Sequence, residues 1–191
     1  DNYKASHSNH KNSKIRSIVS RQNIQYDSLG GSSFSNTKVP MTTIIQDKDF
    51  LVYDNLKLTG RFKLNKSAPL VDPVYFNGNA FSLIDSLQIY VGGQVDVNIT
   101  QYFQHIVTHL AKLKLSQTEY SQYELTTLAG KDINSQNIWD FELPLGILGL
   151  AKKFLPTADL MKIEIKIQFQ KDLARVFNSS AAAGQVTGYE L

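Results

Sequence analysis

The sequence contains no cysteine, so a disulfide framework, a thiolate metal site and a cysteine nucleophile are all excluded. No apolar run approaches the roughly 18 residues that a membrane-spanning helix needs, and no signal-peptide pattern opens the chain. Only four histidines are present. Two of them, His105 and His109, stand four apart and would share one face of a helix, as zinc ligands do. The frame His-Ile-Val-Thr-His puts Ile106 where a zinc protease needs its general-base glutamate, and spacing suggests no third ligand. The pair reads as ordinary helix-surface histidines, and His7 and His10 as N-terminal tail composition. A cupin-type metal enzyme would carry histidines on strands, and no expected strand has one. Gly92-Gly93 is not a phosphate loop, because no Lys-Ser or Lys-Thr follows it and a strand comes next. Asp85, Asp96, Asp140 and Glu142 are scattered over strand faces, as solvated acids are. The sequons at Asn65 and Asn98 are too common a pattern to carry a reading. Trp139, the single tryptophan, falls on a period-two position and reads as core rather than as a sugar platform. No enzymatic activity, metal, cofactor or small-molecule substrate is therefore expected.

What the chain does have is length for one domain with a core, at 191 residues, and an ordinary globular balance of 42% hydrophobic and 19% charged residues. Ile, Val, Thr, Tyr and Phe are plentiful and convincing helical stretches few, which leans all-β. The net charge of +3 is unevenly placed. Lys4, Lys11, Lys14, Arg16 and Arg21 stand against Asp1 alone in the first 21 residues, a balance of +4 that leaves the other 170 at −1. Residues 1–37, rich in Ser, Asn, Lys and His, cannot bury enough apolar surface to offset their ordering entropy. They read as an extended basic arm ahead of a domain over 38–191. The five cations are the candidate contacts for adjacent subunits, with nucleic acid phosphates or a membrane surface as weaker candidates.

Along the domain, Met41 to Ile45 is a short apolar run. Phe50 to Leu64 alternates, with Leu56, Leu58, Phe62 and Leu64 on one face. A Pro- and Gly-punctuated loop occupies 65–79. The central stretch, Phe81 to Leu115, reads as strand, Gly-Gly turn, strand and helix. Leu83, Leu87, Ile89 and Val91 alternate before the glycines, and Val95, Val97 and Ile99 after them. Opposed residues share a face, so a two-residue loop would mix Val91 with Gln94. An odd loop or bulge at the turn, opposing Val91 to Val95 and Ile89 to Val97, is predicted, with all four valines and isoleucines facing the core. Phe103, Ile106, Val107, Leu110 and Leu113 then recur at three and four, the apolar stripe of one helix. Residues 116–137 read as mostly loop with a short helix. Trp139, Phe141, Leu143 and Leu145 alternate up to Pro144, which marks a sheet edge or strand end. Met161, Ile163, Ile165, Ile167 and Phe169 alternate with Lys, Glu and Gln, the cleanest strand of the chain.

Two groups of these residues carry a resemblance. Val91-Gly92-Gly93-Gln94, then Val95-Asp96, then the aromatic and Leu-rich helix over 102–110, resemble a signature of the double jelly-roll major capsid proteins of tailless icosahedral DNA viruses. Leu143-Pro144-Leu145, Leu155-Pro156, Leu160 and Glu164-Ile165-Lys166-Ile167 resemble a second signature of that family, in the same order. One departure is Gly146-Ile147-Leu148-Gly149, where the family often has an aromatic cluster. The resemblance implies an antiparallel β-sandwich of jelly-roll type with one helix after the Gly-Gly hairpin. It implies a structural capsid protein of the virion, assembling with copies of itself as a trimer and with other capsid proteins into an icosahedral shell around the genome. The arm would then meet neighbouring subunits, the viral genome or an internal membrane. A single jelly-roll vertex or minor capsid protein is the alternative within that class, and a carbohydrate-binding sandwich the alternative outside it. About six or seven strands are legible against the eight of a jelly roll, and the chain opens at Asp1 rather than Met. Gly188 to Leu191 reads as a strand with no partner to follow. Together these predict a longer subunit that covers its open sheet edge only in an assembly.

Overall fold

The computed structural model describes residues 27–29, 33–37, 41–45, 50–52, 56–70, 72–148, 154–156, 162–178 and 185–191. The strands are β1 (Met41–Ile45), β2 (Phe50–Val52), β3 (Lys57–Lys66), β4 (Ile84–Val91), β5 (Gln94–Ile99), β6 (Trp139–Pro144), β7 (Phe154–Pro156), β8 (Ile163–Phe169) and β9 (Val186–Glu190). The helices are α1 (Phe103–Lys114), α2 (Gln117–Thr126) and the single turn α3 (Leu173–Val176). Single 3₁₀ turns precede β4, at Ala80–Leu83, and follow β6, at Leu145–Leu148.

The pairing is nested. β1 lies antiparallel to β8, β2 to β7, β3 to β6 and β4 to β5. The chain is thus doubled back like one long hairpin of eight strands and rolled up, with β4 closing on β8 and β9 added to the far side of β3. This is the connectivity of a jelly roll. The result is a four-stranded sheet in the order β1-β8-β4-β5, a three-stranded sheet β6-β3-β9 and the short pair β2-β7. The alternation read from the sequence decides which face is buried. Leu87, Ile89, Ile163, Ile165, Ile167 and Phe169 of the larger sheet join Phe62, Leu64, Phe141, Leu143 and Tyr189 of the smaller in one apolar cluster. Phe62 sits at its aromatic centre, 5.0 Å from Phe76 and 6.2 Å from both Phe177 and Tyr189 between ring centroids. Burying a side chain of this size stabilises the fold by roughly 1.5–3 kcal/mol.

Several expectations are corrected. The Gly92-Gly93 turn is a regular two-residue one that opposes Val91 to Gln94. Both glycines have positive φ, 58° and 81°, as the primed turn of a tight hairpin requires. The odd residue comes later, as a bulge at Asp96 between the pairs Tyr90–Val95 and Ile89–Val97. Ile89 and Val97 therefore oppose each other and are buried as expected, whereas Val91 is half-buried and Val95 is 56% exposed. The helix stripe is rotated too: Phe103, Val107 and Ala111 are buried, Leu110 is half-buried, and Ile106 and Leu113 are 38% and 70% exposed. The helix expected after the hairpin is α1, and the short helix expected within 116–137 is α2. Ser116 and Glu119 form a capping box, with the Ser116 N–H donating to Glu119 Oε2 at 2.8 Å and the Glu119 N–H to Ser116 Oγ at 3.4 Å. This box fixes the start of α2. Phe50 to Leu64 is divided between β2 and β3, whose partners differ. The described strands number nine, and the last has a partner earlier in the chain, since β9 pairs with β3 over Lys63–Glu190 to Lys66–Val186.

Candidate functional site

The Gly92-Gly93 turn of the first resemblance and the Glu164 to Ile167 strand of the second meet in the four-stranded sheet. β4 and β8 are neighbours, with Tyr90 opposite Glu164 and Val91 opposite Ile163. The Gly92 N–H donates to the Lys162 carbonyl at 3.0 Å, so the residue just before β8 is bonded to the Gly-Gly turn. On the outer face the Lys166 ammonium lies 4.7 Å from the centre of the Tyr90 ring. Glu164 is bracketed by Lys166 at 3.2 Å and Lys162 at 3.6 Å. The hydrogen bond from Lys166 is the largest of the contacts that hold the Glu164 carboxyl below its ordinary value. Leu143-Pro144-Leu145 ends β6, which is an edge strand, as the proline requires.

Where β5 turns into α1, a cavity of about 520 Å³ opens, lined among others by Asp85, Thr100, Gln101, Tyr102, Gln104 and Arg175. Four segments build it. The loop at Asn77 and Gly78 packs against α1, with Gly78 at φ +91° and so close to Gln104 that a Cβ there would collide with its amide. Asp85 comes from the start of β4, where the bulge at Ile84–Ser86 lies. Gln170 and Arg175 come from the end of β8 and from α3. Gln170 Nε2 donates to Asp85 Oδ1 at 3.0 Å while the Asp172 N–H donates to Gln170 Oε1 at 3.1 Å, which holds the carboxylate in place by a relay. Asn77 Nδ2 donates to the Arg175 carbonyl at 3.4 Å. Tyr102 precedes α1 in the left-handed region, φ 55° and ψ 29°; the residue is 75% exposed and its ring lies 6.5 Å from that of His105. Sequence reading passed over Tyr102 and Gln104 as part of the helix start, because nothing in the local pattern says that Asp85 and Arg175 lie beside them.

The other candidates are dispersed. His105 and His109 are both exposed on α1, and no group of three metal-ligating side chains occurs among the described residues. Glu142 pairs with Lys57 at 2.6 Å and Asp140 with Arg61 at 3.5 Å, each across the β3–β6 ladder. Lys4, Lys11, Lys14, Arg16 and Arg21 lie outside the described residues. The described part of the arm rests on this same chain: Phe34 is buried against the Phe169 ring at 5.5 Å, and Phe34 and Leu191 exchange backbone hydrogen bonds of 3.0 and 2.8 Å. Buried at the base of α1 and α2 is Asn79. Its Oδ1 accepts from the Phe81 N–H at 3.0 Å, and its Nδ2 donates to Tyr123 OH at 3.1 Å and to Thr108 Oγ1 at 3.3 Å.

No protein-family model and no curated protein matches the chain. Among solved structures, a quasi-atomic model of the PBCV-1 virus capsid aligns over 91% of this chain and 43% of its own, with 16% identity and a TM-score of 0.46. The crystal structure of PBCV-1 VP54, fitted into a reconstruction of the virophage Sputnik, aligns over the same shares with 15% identity and a TM-score of 0.44. The chain thus spans less than half the length of the solved chains it resembles.

Proposed function

We propose that this chain is a structural capsid protein, a jelly-roll subunit that assembles with copies of itself into an icosahedral viral shell. The observation that carries the reading is the joining of the two signatures. The Gly-Gly turn at the end of β4, from one resemblance, and the Glu164 to Ile167 strand, from the other, are neighbours in a nested roll, joined through Gly92 and Lys162. A chance match at either place would have no reason to meet the other. The fold by itself does not decide function, since jelly rolls also serve lectins and cupins. Two exposed features support a life in contact with other subunits. Ile106 and Leu113 leave an apolar stripe on the outer side of α1, and β1 and β5 are the edge strands of the larger sheet.

In this reading residues 1–37 are a basic arm ahead of the domain over 38–191, and its described end is anchored on that domain through Phe34. Lys4, Lys11, Lys14, Arg16 and Arg21 contact a neighbouring subunit, in preference to genome or membrane. The protein's place is the virion, its role is non-enzymatic, and its partners are further copies, as a trimer, and other capsid proteins. Analytical ultracentrifugation of the purified protein, followed by electron microscopy of the native particle, tests this. Trimers and closed shells are expected. A monomer at micromolar concentration, together with particles that lack this chain, would refute it.

A further inference from the structure

We propose that the cavity between Asp85, Tyr102 and Arg175 is a carbohydrate-binding site for a neutral sugar residue of a glycan. Its volume of about 520 Å³ lies within the range of small-ligand sites and leaves room for roughly one or two sugar rings. The lining selects the chemistry. Thr100, Gln101 and Gln104 line the wall with a hydroxyl and two planar amides that make no side-chain hydrogen bond among the described residues. Such groups both donate and accept, as an array of sugar hydroxyls requires. Asp85 adds a carboxylate that the Gln170 relay keeps pointed, and a carboxylate commonly accepts from two vicinal hydroxyls. At the rim Tyr102 is 75% exposed, and its ring offers a flat face on which the C–H side of a pyranose can lie.

Other ligand classes fit less well. Arg175 and Asp85 bring one charge of each sign, and Arg175 is itself paired with Asp172 at 3.6 Å, so neither a polyanion nor a cation is favoured. The apolar side chains of the lining are Ile84 and the ring of Phe103 beside that of Tyr102, too few to hold a lipid or a hydrophobic peptide. The site does not depend on the shell reading: a subunit that binds no sugar can still assemble, and a sugar-binding chain can fail to, so the two fail separately.

Saturation-transfer difference NMR on the purified protein, with a panel of soluble methyl glycosides and disaccharides, reads the site directly. At least one neutral glycoside is expected to receive saturation on the protons of one ring face. Tyr102→Ala should weaken that binding about tenfold with an unchanged melting temperature, because the residue is exposed. Gln101→Ala, an exposed residue outside the helix, provides the second variant and should weaken binding without altering the far-ultraviolet spectrum. No transfer to any glycoside of the panel would overturn the proposal. So would transfer that both variants leave intact.

Discussion

Replacing Asn79 by alanine should be among the more costly single substitutions in this chain. The side chain is buried and holds three elements together at once, accepting from the Phe81 N–H of the 3₁₀ turn and donating to Thr108 of α1 and Tyr123 of α2. Alanine would leave the Phe81 N–H buried without its acceptor, at about 1–3 kcal/mol, and would open a small void. The two lost donations add roughly 1 kcal/mol, because Thr108 and Tyr123 retain each other as neighbours. The total is about 3 kcal/mol, which for a chain of this size lowers the melting temperature by roughly 6–12 °C. Tyr123→Phe should cost only about 1 kcal/mol, since Asn79 keeps Thr108 and Phe81 as partners. The double variant should then cost little more than Asn79→Ala alone, a coupling of roughly 0.5–1 kcal/mol. Urea denaturation of the four proteins measures the cycle. Strict additivity, or a loss below about 1 kcal/mol for Asn79→Ala, would show that this amide does not tie the two helices to the 3₁₀ turn before β4.

Thr43 Oγ1 is buried and finds no hydrogen-bond partner among the described residues, so Thr43→Val should stabilise by about 1 kcal/mol, and an unchanged or lower melting temperature would refute this. Gly93→Ala places a side chain at φ +81° in open space and should cost about 1 kcal/mol, whereas Gly78→Ala adds a collision with Gln104 and should cost more; equal losses in urea would contradict the packing. Burial raises the phenol of Tyr189 and that of Tyr123 above the ordinary tyrosine value. The folded state thus favours the neutral phenols, and their contribution is intact below about pH 10 and lost as pH rises through the higher folded values. A urea midpoint that stays flat to about pH 11 would refute it. Deleting residues 1–21 should impair assembly and leave the domain's melting temperature nearly unchanged, because the charged arm has no core of its own; a large loss of monomer stability would show the arm to be part of the fold.

Much of the local structure was readable. Ile163 to Phe169 alternates so regularly that its buried face could be named, and Phe62, Leu64, Phe141 and Leu143 followed the same rule. Misreadings arose where two local signals competed. At the hairpin, matching of apolar faces argued for an odd turn, while two consecutive glycines favoured a two-residue one. The chain satisfies both, with a tight turn at Gly92-Gly93 and the extra residue displaced to Asp96. The box at Ser116 and Glu119 was passed over in the sequence, where the polar composition of 116–137 reads as mostly loop. On α1, Ile106 and Leu113 fit a helical stripe, but a helix has apolar residues to spare, and which of them are covered depends on what packs beside it.

The sequence by itself determined which residues share a face, where the chain can turn sharply and which chemistries are closed to it, because these follow from backbone periodicity, from glycine's freedom at positive φ and from the side chains present. Only the tertiary structure decided which strands pair. A strand's backbone groups will bond to those of any other strand, and nothing local says that Met41 should meet Ile167 or that Lys57 should meet Pro144. That nesting makes β4 a neighbour of β8 and carries Asp85, Tyr102, Gln170 and Arg175 to one cavity. A site assembled from four segments has no signature in any of them, since each residue's local pattern is set by its own element and its neighbours are chosen by the roll.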